Sequence, residues 1–320
     1  MPDVAQAQEK LSTIASFSIL ADIVENVGGE RVEVRTLVGP GGDAHVYTPT
    51  PADAKAVAGA KLLFVNGLGF EGWMERLVEA SGSKAQIVTA SEGVTPRSME
   101  EEEGHDHEGE KGHDHEAGHG DKGHDHGHEV AEGKAHGHDD AHDHGENDPH
   151  AFQSIANGKI YVGNIRDALI AADPAGKAEY EANATAYLAK LDEVDAQIRA
   201  AAEKIPATDR KIITSHDAFG YFGEAYGFTF LAPQGVSTDA EASAKDVATL
   251  VKQIRKEKVK AVFVENVTDK RLIQQISRES GAEMGGELYS DALSAKDGPA
   301  GTYIDLFRHN IKTLSAALTR

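Results

Sequence analysis

Between Glu100 and Asp148 the chain offers a fold almost nothing to bury. The segment holds 18 acidic residues, 3 lysines and 12 histidines, and Val130 is its only sizeable apolar side chain. Its net charge is −15, against −21 for the whole chain, so the rest is only mildly acidic. Without apolar surface to offset conformational entropy, such a tract is predicted to stay unfolded when no metal is bound. About 270 of the 320 residues remain for a folded body, enough for two lobes. A chain this acidic lacks the basic patch that nucleic acid or an anionic membrane needs, and no apolar run approaches the roughly 18 residues of a membrane span. Neither nucleic-acid binding nor membrane insertion is therefore expected. There is no cysteine, which removes disulfides, thiolate ligands, cysteine nucleophiles and a lipidated cysteine. The opening Pro2-Asp3-Val4-Ala5 after Met1 reads as a mature N-terminus with an added start residue.

On either side of the tract, short apolar runs alternate with helical patterns. Residues 11–16, 32–38, 61–66 and 86–89 read as strands, with a helix over 19–27 ended by Gly28-Gly29. The theme repeats with strands over 211–214, 229–232, 259–264 and 283–288 and helices over 244–257 and 269–280. Strands alternating with helices predict an α/β fold with parallel sheets covered on their faces. Between the halves Tyr180, Ala184, Tyr187, Leu191, Val194 and Ile198 recur at spacings of three and four, a single apolar stripe that Pro206 ends. A helix of roughly 28 residues there would be about 42 Å long, enough to act as a strut across two lobes. The expected organisation is a first lobe over residues 1–174, with the tract as a loop near 99–147, a linker helix over 175–205 and a second lobe over 206–320.

Four histidines lie outside the tract. His309 points away from the stripe Ile304, Phe307, Ile311, Leu314 and Leu318 of a C-terminal helix and is assigned to solvent. His45 follows the strand over 32–38 in a glycine-rich loop, His216 follows the strand over 211–214, and Asp291 stands just past the strand ending near Leu288. In open α/β sheets ligands bind beyond the carboxyl ends of strands. His150 closes the tract in Asn147-Asp148-Pro149-His150, where the proline fixes the backbone. Imidazoles with a carboxylate suit tetrahedral Zn²⁺. Each residue also fits a plainer role: a loop histidine is often a surface residue, Asp291 and Asp217 could cap helices, and Asp43 could stabilise its turn. The segment Asn66-Gly67-Leu68-Gly69-Phe70-Glu71-Gly72-Trp73 has no phosphate-loop spacing and reads as a turn that lays Trp73 against the core. Within the tract, Gly-His-Asp-His recurs at 104–107, 112–115 and 123–126, with Ala-His-Asp-His at 141–144. Its histidines, His105, His107, His113, His115, His119, His124, His126, His128, His136, His138, His142 and His144, offer weak auxiliary metal sites.

The loop Gly-Gly-Asp-Ala-His45-Val-Tyr-Thr-Pro, the acidic histidine tract, Asn-Asp-Pro-His150-Ala-Phe, Thr-Ser-His216-Asp-Ala-Phe-Gly-Tyr-Phe and Tyr-Ser-Asp291-Ala-Leu occur in this order. Together they resemble the ZnuA-type zinc-binding proteins of bacterial ABC importers, over nearly all of the folded part. The resemblance implies a periplasmic two-lobed solute-binding protein, its lobes joined by a rigid backbone helix. It further implies a zinc ion held between the lobes by His45 and His150 from the first and His216 and Asp291 from the second, then passed to a membrane permease. Manganese-type relatives commonly carry a Glu at the position of His216, so nitrogen there points to zinc. The cysteine pair of many Gram-negative members is missing, and Phe152 stands where a Trp is common. A monomer is expected, with a periplasmic metallochaperone as a candidate further partner. The alternative is a periplasmic zinc buffer or metallochaperone working through the tract. A zinc hydrolase is a third reading, for which Glu71 and Glu265 are the only candidate bases; four protein ligands argue against it, and no enzyme is expected.

Overall fold

The computed structural model describes residues 9–98 and 147–319. The twelve tract histidines, His105 to His144, and the first eight residues lie outside them, as do the expectations made for both.

The first half runs β1 (Leu11–Phe17), α1 (Ser18–Gly28), β2 (Val32–Val38), α2 (Pro51–Gly59), β3 (Leu62–Val65), α3 (Met74–Ser81), β4 (Gln86–Thr89) and α4 (Ile155–Ala172). After α5 (Lys177–Ala202) the second half runs β5 (Lys211–Ile213), α6 (Gly220–Tyr226), β6 (Thr229–Leu231), α7 (Ala244–Glu257), β7 (Ala261–Glu265), α8 (Lys270–Ser280), β8 (Glu283–Leu288) and α9 (Tyr303–Leu318). The strands form two four-stranded sheets, ordered β2-β1-β3-β4 and β6-β5-β7-β8. Every strand pairing is parallel. This is the α/β class that strand–helix alternation predicts, because a parallel partner needs a crossover connection and a helix supplies it. The helices α2, α3, α4 and α6 are additions to the periodic reading; α4 hides its pattern behind Asn157, Gly158 and Gly163.

The stripe on α5 is buried as its spacing predicts: Tyr180, Ala184, Tyr187, Leu191, Val194 and Ile198 all face inward. At 26 residues the helix is about 39 Å long. It bonds to both halves. Asn183 Nδ2 donates to the Val27 carbonyl at 3.1 Å and Tyr187 Oη to Asp22 Oδ2 at 3.2 Å, while near the other end Tyr226 Oη donates to Asp195 Oδ1 at 2.8 Å. One large apolar core runs through both halves, from Phe17 and Phe64 to Phe222, Phe263 and Phe307. A smaller one lies beneath α7 and α8, around Ile213, Leu250, Ile254 and Ile273.

His309 departs from its assignment to solvent. It is half-buried, its Nε2 lies 2.9 Å from the Glu287 carbonyl, and its ring meets Tyr289 edge-on at 5.1 Å. The end of β8 packs beside α9 and covers the face that the helix's own stripe leaves open.

Candidate metal centre

His45 sits between β2 and α2 in a loop pinned from three directions. Asp43 Oδ1 accepts from the His45 backbone amide at 2.9 Å and so fixes the turn that carries His45, one step beyond the Gly41-Gly42 turn. Its other oxygen accepts from Thr238 Oγ1 of the second half at 2.6 Å. Trp73 is buried, as the turn before it predicts, and its Nε1 donates to the Ala44 carbonyl at 2.7 Å. Gly41 adopts φ +70°, where a side chain is strained, and its amide donates to the Leu293 carbonyl at 2.9 Å.

His150 enters behind β3. Asn66, at the carboxyl end of that strand, donates from Nδ2 to the Pro149 carbonyl at 2.8 Å. Asp148 Oδ1 takes both the His150 amide, at 2.9 Å, and ring Nδ1, at 2.8 Å. Arg97 Nη1 lies 3.3 Å from the other Asp148 oxygen. His216 follows β5, and Glu265, which ends the adjacent β7, holds it in the same manner. Glu265 Oε1 accepts from the Ser215 and His216 amides at 2.7 and 2.9 Å, and Oε2 lies 2.7 Å from His216 Nδ1. Asp291 follows β8. Asn266 brackets it, accepting from the Ser290 amide at 3.2 Å and donating to the Ala292 carbonyl at 3.0 Å.

These elements bring all four predicted residues together. One nitrogen or oxygen from each of His45, His150, His216 and Asp291 lies within 4.8 Å of the others. His45 Nε2 is 3.2 Å from His150 Nε2 and 3.3 Å from Asp291 Oδ2. His216 Nε2 is 3.0 Å from Asp291 Oδ2, and His150 Nε2 is 3.5 Å from Asp291 Oδ1. A tetrahedron with metal–ligand distances of about 2.0–2.1 Å has edges of about 3.3–3.4 Å, close to these separations. His150 Nδ1 is hydrogen-bonded to Asp148 and His216 Nδ1 is within ion-pair distance of Glu265, so with the proton on each Nδ1 the Nε2 lone pairs face the centre, the arrangement that orients metal-binding imidazoles. Asp291 Oδ1 is buried without a hydrogen-bond partner, and two imidazole nitrogens face each other at 3.2 Å; a cation between them would satisfy all three atoms.

The charges point the same way. Burial disfavours the Asp291 carboxylate, but His216 and His150 outweigh it and hold its pKa well below the usual range. Burial likewise opposes the His216 imidazolium, and Glu265 and Asp291 hold its pKa well above the usual value. A proton on His216 is what a metal would displace. The two candidate bases are otherwise engaged. Glu71 accepts from Ser16 Oγ at 2.5 Å and the Asn66 amide at 2.7 Å, with burial pushing its pKa up, and Glu265 is spent on Ser215 and His216. Sequence reasoning missed Asp148 as an orienting group and read Glu265 only as a base. The available signals were an acid two residues before His150 and a lone acid ending the apolar run Ala261-Val262-Phe263-Val264.

Residues 14–317 match the family described as zinc-uptake complex component A, periplasmic. The chain belongs to this family. It is 33% identical over 312 residues to the manganese-binding lipoprotein MntA of Halalkalibacterium halodurans, covering 98% of this chain and 90% of that one. It is 31% identical over 308 residues to the iron-binding protein YfeA of Yersinia pestis, covering 96% and 86%. Among solved structures, the periplasmic zinc-binding protein TroA from Treponema pallidum superposes with a TM-score of 0.80 at 29% identity, covering 98% of this chain and all of that one. A manganese-bound periplasmic metal-binding protein of Candidatus Liberibacter asiaticus gives 0.76 at 30% identity, covering 97% of this chain and all of that one. The protein is thus a metal-binding substrate-binding protein of the ABC-transporter type, with the two-lobed α/β fold of these relatives. Among the described residues, no helix is long and apolar enough to cross a membrane.

Proposed function

We propose that this protein captures zinc in the periplasm between its two halves, through His45, His150, His216 and Asp291, and delivers it to the permease of an ABC importer. The observation that carries this reading is the donor set. Three imidazole nitrogens and one carboxylate converge, and two of the imidazoles are turned toward the centre by carboxylates at their far nitrogens. Imidazole-rich sites suit zinc, copper and nickel better than oxygen-preferring manganese, and four protein donors match a closed tetrahedral zinc site. The name of the Treponema pallidum relative agrees.

Manganese or iron is the second reading. The names of the Halalkalibacterium and Yersinia relatives favour it, and so does the way both Asp291 oxygens face histidines, which admits a higher coordination number. Titrating metal-stripped protein with zinc and with manganese against a competing chelator separates the two. Zinc should bind more tightly by at least about 100-fold, or about 2.7 kcal/mol; the reverse order would transfer the function to manganese. If His45→Ala and His216→Ala both left the tightest step unchanged, the site itself would be misplaced.

A further inference from the structure

The loop that carries Asp291 is fastened from both halves of the molecule. From its own half, Asn266 brackets it and Asn310 holds both polar groups of the Tyr289 backbone, accepting at 2.9 Å and donating at 2.8 Å. From the first half, Ser18 Oγ accepts from the Leu293 amide at 2.9 Å, and Gln153 Nε2 donates to the Ser290 carbonyl at 2.6 Å. Gln153 is fully buried and ends the short 3-10 turn that begins after His150; its own amide donates to the His150 carbonyl at 2.9 Å. It therefore joins the turn bearing one donor to the residue preceding another, across the boundary between halves.

Gln153 Oε1 is buried without a partner among the described residues. Reversing the amide would face that oxygen toward the Ser290 carbonyl, acceptor against acceptor, so the orientation is dictated by Ser290. Leaving half of a buried amide unsatisfied is unfavourable. The one bond the side chain makes is spent on holding the Asp291 loop. Asp291 stands between two binding modes. Oδ2 lies 3.0 Å from His216 Nε2, and Oδ1, without a hydrogen bond, lies 3.5 Å from His150 Nε2. A small rotation of the loop would trade one-oxygen contact with a central ion for two-oxygen contact.

We propose that Gln153 is a positioning residue for Asp291: by gripping the Ser290 carbonyl it keeps Oδ2, the oxygen nearer the histidine nitrogens, turned to the metal ahead of Oδ1, and so sets the preference among divalent ions. One oxygen with three nitrogens gives four-coordination, the zinc arrangement, and a second oxygen raises it toward what manganese takes. This rests on the metal-receptor reading above.

Gln153→Met removes the donor while keeping a long side chain of similar size. Two quantities are read on the metal-stripped full chain. One is the ratio of zinc to manganese affinity. The other is the visible d–d absorption of the Co²⁺-loaded protein, which weakens as coordination rises above four. In the variant the ratio should fall about tenfold or more, and the cobalt bands should weaken. Gln153→Leu, which also removes the donor to the Ser290 carbonyl, should move both quantities in the same direction, and it decides the matter alone if Gln153→Met does not fold. An unchanged ratio and spectrum would overturn the proposal. So would an equal loss for zinc and manganese with an unchanged spectrum, which is the mark of a merely structural residue. If the unsubstituted chain binds neither metal, the receptor reading itself falls, and this one with it.

Discussion

Replacing Glu265 by Gln tests whether the charge behind His216 matters to the metal in front of it. The glutamine oxygen can keep the Ser215 and His216 amides that Glu265 Oε1 now accepts at 2.7 and 2.9 Å. Its NH₂ group then faces His216 Nδ1, where Oε2 stood at 2.7 Å. Both sides would present a proton, so the ring must move its proton to Nε2, the atom directed at Asp291. Binding metal would require moving it back and giving up that bond. A buried hydrogen bond to a charged group contributes about 1.5–3 kcal/mol, which corresponds to about 10–150-fold in affinity. Outer partners of metal-binding histidines show a similar range when replaced. The metal-free variant should also unfold at a lower temperature, because one partner of a buried ion pair is removed while His216 remains. Competition against a chromophoric chelator near neutral pH reads the affinity. Zinc binding within about twofold of the parent would refute the claim that Glu265 orients His216.

Removal of residues 100–146 should lower the number of zinc ions bound and slow loading at limiting zinc while sparing the tight site; loss of the tight step in a titration would instead make the tract the principal site and the protein a buffer. Burial pushes the Asp22 pKa up to about 6, against hydrogen bonds from the Tyr303 amide and Tyr187. A carboxyl raised by folding favours the folded state when protonated, so its contribution is full below about pH 4 and lost as pH rises through about 6, a change of order 3 kcal/mol. Urea unfolding at several pH values should show Asp22→Asn losing that dependence relative to the parent; parallel curves would remove the argument. Leu191, fully buried on α5, should cost about 2–5 kcal/mol when cut to alanine. Because α5 bonds to both halves, fluorescence and far-ultraviolet dichroism should report one coincident transition, and separate transitions would contradict a shared core.

Much of the architecture was legible because its signals are local. The runs that became β1, β2 and β7 are short and rich in β-branched or apolar residues, and the α5 stripe has a period that no strand can use. The four donors were legible as polar residues stranded just after strand ends, once the family resemblance joined them. What escaped was set by neighbours distant in sequence. Glu265 reaches His216 only because β5 and β7 lie side by side, a register that nothing near residue 216 or 265 encodes. His309 was assigned from the helix's own stripe, whereas Glu287 and Tyr289 of another element decide its surroundings. Asp148 was overlooked within an acidic tract where one more carboxylate carries no signal.

The last helix has a bearing on how the chain comes to be folded at all. Tyr303 and Phe307 of α9 belong to the core shared by both halves. Tyr303 Oη donates to the Phe152 carbonyl beside the His150 turn, and a Cβ on Gly158 would overlap that ring. A polypeptide emerging N-terminus first therefore holds an unfinished first half, with open apolar surface along α1, α4 and α5, until its final twenty or so residues arrive. The His150 turn and the Tyr289 backbone, held by Tyr303 and Asn310 of α9, take their final places only when that helix docks, so the metal pocket is among the last parts of the molecule to be completed.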